Sequence, residues 1–212
     1  MVMYENEDIV NEVVIEFLKT ANDYCQLVET AKASSKSEYI SKLLLISSRI
    51  YFLAQILPSI ESVNDENNEK FVNEEDWQKV KDANQTLLGQ HDAFLEVFDP
   101  RMQESETPII SSISENIADI YQDIKDFILL YQIGTHDVMN DALWECKQNF
   151  EEFWGQKLAN TIRALHNLSY GNNFLDDDDD ETTEETETPL IDTSSWILSK
   201  RLEQIGDGEE DL

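Results

Sequence analysis

Basic residues are scarce in this chain. Its 212 residues hold 15 Lys and Arg against 45 Asp and Glu, a formal net charge of −30. Such a surface repels phosphate backbones, which argues against direct binding of nucleic acid or of an anionic membrane. Glycine and proline are also few, at six and four, and that suits long helices better than a turn-rich β fold. The apolar runs are short: "LLLI" at 43–46 is among the longest, far below the roughly 20 residues that a membrane span needs. The first thirty residues show no basic stretch leading into an apolar one, so no secretory signal is read there. The two cysteines, Cys25 and Cys146, sit within helical patterns, in neither CxxC nor zinc spacing. They read as buried thiols rather than a disulfide, a metal pair or a nucleophile. Together these features predict a cytoplasmic protein.

What the chain does have is enough apolar material for a core: 41% hydrophobic residues, including nine Phe, seven Tyr and four Trp. From 8 to 31, Ile9, Val13, Phe17, Ala21, Tyr24 and Val28 recur at steps of three and four, the helical period. Ser34 or Ser35 offers a cap for "KSEYISKLLLISSRIYFLAQIL", which is apolar around much of its circumference and ends before Pro58. That breadth predicts the most buried helix of the fold. "ESVNDENNEK" reads as an exposed loop. Asn73 caps the next helix, with Glu74, Glu75 and Asp76 in its first turn and Gly89 as its stop. After "HDAFLEVF" and the loop "RMQESETP", Ser112 and Glu115 form a capping box that opens a further helix, closed by "QIG" at 132–134. Thr135 caps a long last helix running to about Leu168 and interrupted by Gly155. No period-two alternation stands out. The expected fold is all-α: an antiparallel helical bundle of five to six helices over residues 1–169.

Beyond the bundle the composition changes. From Tyr170 to Leu212 there are 15 acids and 2 bases, a net of −13, which leaves −17 on the rest. Residues 170–193 read as a solvated acidic linker. Residues 194–212 read as a short amphipathic helix and an acidic terminus, with Trp196, Leu198, Leu202 and Ile205 as its apolar contacts. That helix is expected either to fold back on its own bundle or to dock on another protein.

Chemistry concentrates on two acidic stripes. Glu115, Asp119, Asp123 and Asp126 fall within an arc of about 80° on one helix, opposite Ile117, Ile120, Ile124 and Phe127. Asp137, Asp141, Glu145 and Glu152 repeat the arrangement on the last helix, with Trp144 close to the Asp137–Asp141 side. The short connection packs the two helices antiparallel. Like charges at i and i+4 each cost a few tenths of a kcal/mol, so a stacked stripe suits water, a basic partner or a cation. Facing carboxylates in bundles can bind magnesium or manganese. All-α nucleotide pyrophosphatases do this with ExxE and ExxD pairs, whereas the spacing here is mostly four residues. His91-Asp92 and His136-Asp137 resemble the HD pair of phosphohydrolases but lack that family's further His and Asp in place, and "THD" is ordinary capping chemistry. No Gly-rich phosphate loop, GxSxG elbow or HExxH occurs.

The wording of the chain carries further information. "FVNEEDW", "FLEVFDPRMQ", "SISENIADIYQDIKDF", "GTHDVMNDALWECKQNFEEFWGQKL" and "RALHNL" resemble a bacterial family, of the kind found in Bacteroidetes, catalogued as domain of unknown function 5063. The resemblance spans roughly residues 10–168. It implies an all-helical cytoplasmic domain and brings no activity, substrate or catalytic residue.

These observations favour a non-enzymatic interaction or adaptor module without a cofactor. Its acidic helical face (Glu115, Asp119, Asp123, Asp126, Asp137, Asp141, Trp144 and Glu145) would meet a protein with a basic surface. The alternative is a divalent-metal-dependent all-α hydrolase of nucleotides or other phosphorylated small molecules. It would hold magnesium or manganese through Glu115, Asp119, Asp141 and Glu145.

Overall fold

Apolar residues at helical spacing along nearly the whole bundle region leave little for a sheet to use, and the fold is all-α. The structure is a computed structural model, which describes residues 9–33, 35–64, 68–96 and 109–171. Most of the expected acidic linker, the expected terminal helix with Trp196, Leu198, Leu202 and Ile205, and the loop 101–108 lie outside the described residues.

Among the described residues there are six α-helices: α1 (Glu12–Glu29), α2 (Lys36–Gln55), α3 (Glu74–Leu88), α4 (Ile113–Ile133), α5 (His136–Asn149) and α6 (Gly155–Tyr170). Local chemistry sets five of their limits, whereas Ser35 and Thr135, expected as caps of α2 and α5, make no side-chain capping bond. Asn11 Oδ1 accepts from Val14 N and Asn73 Oδ1 from Asp76 N, each quieting an orphan donor of a first turn. Ser112 Oγ does the same for Glu115 N at 3.2 Å. Gly89 (φ 58°) and Gly134 (φ 79°) close α3 and α4 in conformations that suit glycine. Between α3 and α4 the chain makes a short antiparallel pair, β1 (Ala93–Leu95) with β2 (Ile110–Ser112). Strands of three residues are too short to show alternation, so the sequence did not announce them.

The helix at the centre is α4, not α2. It packs on α1, α3, α5 and α6, and twelve of its 21 residues are buried, against seven of 20 in α2. The apolar breadth of α2 misleads because Leu45, Phe52 and Ile56 stay exposed on its outer side. Phe127 of α4 stacks near Phe17 of α1 at 5.5 Å and near Tyr131 at 5.7 Å between ring centroids. Tyr24 carries its hydroxyl into the core, where it donates to Ile117 O. A second buried polar knot joins three helices: the Tyr39 hydroxyl donates to Asn84 Oδ1, and Asn84 Nδ2 donates to Val28 O and Val80 O. Lys147 of α5 is buried too, and its ammonium caps α2 by donating to Ala54 O and Gln55 O, both at 2.9 Å.

The expected interruption at Gly155 takes the form of a π turn. Helices α5 and α6 run on through Phe150–Trp154, whose widened turn lets Gly155 N–H reach Phe150 O. Trp154 is fully buried there and donates to Cys146 O at 3.3 Å. A Cβ at position 155 would lie 2.3 Å from Phe150 O and 2.9 Å from the Phe150 ring, so only glycine fits without repacking. Gly155→Ala is expected to cost about 1–3 kcal/mol and to lower Tm by roughly 2–4 °C for each kcal/mol, read by thermal unfolding. An unchanged Tm would mean that the π turn relaxes freely into regular helix.

Candidate functional site

The two acidic stripes of α4 and α5 meet the same piece of chain: the connection from α2 to α3, whose described parts are residues 56–64 and 68–73. Neither described part has helix or strand, so their backbone donors need acceptors from elsewhere. The stripes supply them.

Asp141 is 3% exposed. Its carboxylate accepts from Val63 N at 2.7 Å, Asn64 N at 3.1 Å, Asn64 Nδ2 at 2.6 Å and Ser62 Oγ at 3.2 Å. Neighbouring Asn140 donates to the same carboxylate and to Glu61 O. Asn68 Nδ2 bridges Asp141 O and Glu145 Oε2, and Lys70 pairs with Glu145 Oε1 at 2.9 Å. Further along, Asp126, 2% exposed, accepts both Phe71 N at 2.8 Å and Val72 N at 2.9 Å through Oδ1. The connection is thus a strap, tied first to α5 and then to α4.

The remaining carboxylates of α4 hold α3, α6 and the end of α5. Asp119 accepts from Trp77 Nε1 of α3 and from Lys157 Nζ of α6, both at 2.8 Å. Glu115 faces Lys81 of α3 at 3.3 Å. Asp123 accepts from Asn149 Nδ2 at 2.7 Å. Of the eight residues that the sequence put on one acidic face, Asp126 and Asp141 are buried, and Asp119, Asp123, Trp144 and Glu145 are partly buried. Glu115 and Asp137 are exposed.

The stripes, expected to suit water, a basic partner or a cation, meet donors of their own chain at Glu115, Asp119, Asp123, Asp126, Asp141 and Glu145. The repulsion expected between carboxylates four residues apart is relieved by N–H donors and lysines of the same chain. Glu115 and Asp119, on α4, engage α3 and α6, while Asp141 and Glu145, on α5, engage the strap, so the four expected metal ligands are held by different partners. Among the described residues no group of three or more His, Cys, Asp and Glu has the geometry to hold a metal ion.

The same accounting applies to the other titratable candidates. Asp92, of the first HD dipeptide, is buried and accepts from Ser112 Oγ, Ser114 N and Ser114 Oγ, which anchors the start of α4. His136 lies 3.5 Å from its neighbour Asp137 at the start of α5. Cys25 and Cys146 are free and buried, and burial raises both thiols, Cys25 to about 12. They stay protonated near neutral pH and are poor nucleophiles.

The carboxylates differ in titration for physical reasons. Burial pushes Asp141 up, but the donors from Val63, Asn64 and Asn140 outweigh it and hold the group below the usual range. Burial raises Asp126 against the pull of Val72 and Phe71 N–H. Asp123 is pushed up to about 6, first by burial and then by the charges of Asp126 and Glu145, with Asn149 and Lys70 opposing. A carboxyl whose folded-state pKa is raised stabilises the fold below its unfolded value near 4, and that contribution is lost as pH rises through about 6. Asp123→Asn is therefore expected to unfold at higher temperature than the wild type at pH 8, by the equivalent of roughly 2–3 kcal/mol at most. The gap should close as the pH is lowered from 6 towards 4, and a gap independent of pH would contradict the assignment.

Residues 8–171 match the family described as Domain of unknown function (DUF5063). Protein BF1032 from Bacteroides fragilis, known from a crystal structure, is 38% identical with a TM-score of 0.71, over 79% of this chain and 98% of its own. No curated protein matches the chain. The extended family wording and the shared helical fold lead to one conclusion: the chain belongs to the DUF5063 family of unknown function.

Proposed function

We propose that the protein is a non-enzymatic interaction module whose contact surface is the outer face of α2. A single observation carries this reading: Leu45, Phe52 and Ile56 are 73%, 60% and 46% exposed and lie seven and four residues apart. At that spacing Leu45 and Phe52 share one side of α2, and Ile56 follows at its C-cap. Single exposed apolar residues need no explanation, but a contiguous stripe of large ones marks a surface that another chain covers.

The acidic ridge, which suggested a basic partner from sequence, supports that partner less well. Asp126, Asp141, Asp119 and Glu145 already hold hydrogen bonds from their own chain. Using them for a partner would require the strap or α3 to let go. The hydrolase reading needs the same release, because its four ligands are those held by α3, α6 and the strap.

Photo-crosslinking in native lysate tests the reading. A diazirine analogue of leucine in place of Leu45 is expected to give a covalent adduct with a polypeptide chain. The same probe at Glu74, far along the chain on α3, serves as the control. Equal adduct at both positions, or none at position 45, would count against α2 as the contact face.

A further inference from the structure

We infer that the α2 face is self-complementary and that its occupant is a second copy of this chain, in a two-fold dimer with the two α2 helices antiparallel. This rests on the reading of α2 as a contact face and adds the partner.

The register comes from the sequence of the helix. A two-fold axis midway between Ser48 and Arg49 sets Leu45 against Phe52 of the other copy and Ser41 against Ile56 of the other copy. Each large apolar side chain then meets either another apolar one or a small residue. Ser48 at the axis lets the helices approach closely. The same patch serves both copies, as a closed two-fold contact requires.

Charge favours this face over others. The chain carries −30 overall, so two copies repel across most approaches. Helix α2 is an exception, with Lys36, Lys42 and Arg49 against Glu38 alone, and it packs on α6, which has Lys157 and Arg163 and no acid. The cations of this face are matched within each copy, Lys42 to Glu38 at 2.6 Å and Arg49, beside the axis, to Glu16 at 2.7 Å. Bringing two such faces together therefore buries no unbalanced charge at the centre.

The area is also adequate. From their exposures, Leu45, Phe52 and Ile56 present on the order of 400 Å² of apolar surface. That suffices for the apolar centre of an interface of about 800 Å² per partner once polar residues of α2 supply the rim.

The 212-residue chain, measured by light scattering coupled to size exclusion at tens of micromolar, is expected at twice its 24.5 kDa mass. Leu45→Glu with Phe52→Glu should run as a monomer, its dissociation constant raised at least ten-fold, while circular dichroism stays at wild-type values because both positions are exposed and Tm matches that of the wild type diluted below its dissociation constant. Ser48→Cys should form an intermolecular disulfide under mild oxidation, since the two copies of that position meet near the axis. A monomeric wild-type chain overturns the inference, and so does a dimer that survives the double substitution. If the wild type is monomeric while the Leu45 probe still yields an adduct with a different polypeptide, the contact face stands and only the choice of occupant fails. If the probe yields no adduct at all, both fall.

Discussion

A stretch of chain without helix or strand has to place its backbone N–H groups somewhere, and here they end on two buried carboxylates. Asp126 takes Phe71 N and Val72 N, and Asp141 takes Val63 N and Asn64 N. Burying an ionised carboxylate alone is costly. Several short donors converging on it offset that cost, because charge-assisted bonds are stronger than neutral ones. Removing either partner would leave a buried donor or a buried charge unmatched, so the strap and the stripes depend on each other.

The rest of the bundle follows from that tie. Once the strap lies across α5 and α4, α3 is delivered onto the acid side of α4, where Trp77 and Lys81 meet Asp119 and Glu115. Helix α4 is thereby covered on both sides, by apolar contacts with α1 on one and by a polar, fully partnered layer on the other. The few lysines of a very acidic chain stand where they matter: Lys70 on Glu145, Lys157 on Asp119, Lys125 on Glu29 and Lys147 on the end of α2. Among the described residues, the outer stripe of α2 is one of the apolar surfaces that stay exposed.

Much of the fold was legible in the sequence because it is written locally. Asn73, Ser112, Gly89 and Gly134 mark helix ends by chemistry within three or four residues, and the apolar period marked the core faces of α1 and α4. The carboxylate stripes were legible as stripes. Their role was not, because Asp126 and Asp141 bind residues 54 to 79 positions away, and "ESVNDENNEK" reads locally as any polar loop. Its asparagines were the available signal, since Asn64 and Asn68 bring the amide donors that a stacked stripe lacks. Breadth of apolar surface misplaced α2 at the centre for a related reason. Composition records that a helix has two apolar sides but not whether the second is covered by its own chain.

The contact surface we propose is accordingly the apolar stripe of α2 and not the acid ridge, which is held by the strap, α3 and α6 of the same chain. Both halves rest on the claim that the stripes are internal acceptors. Hydrogen exchange of the wild-type chain, resolved to single amides, tests it most directly. The account predicts that Val63, Asn64, Phe71 and Val72 exchange more than about 100-fold slower than unstructured peptide, despite lying outside any helix or strand. Exchange at unstructured rates would show that the carboxylates face water and would contradict it.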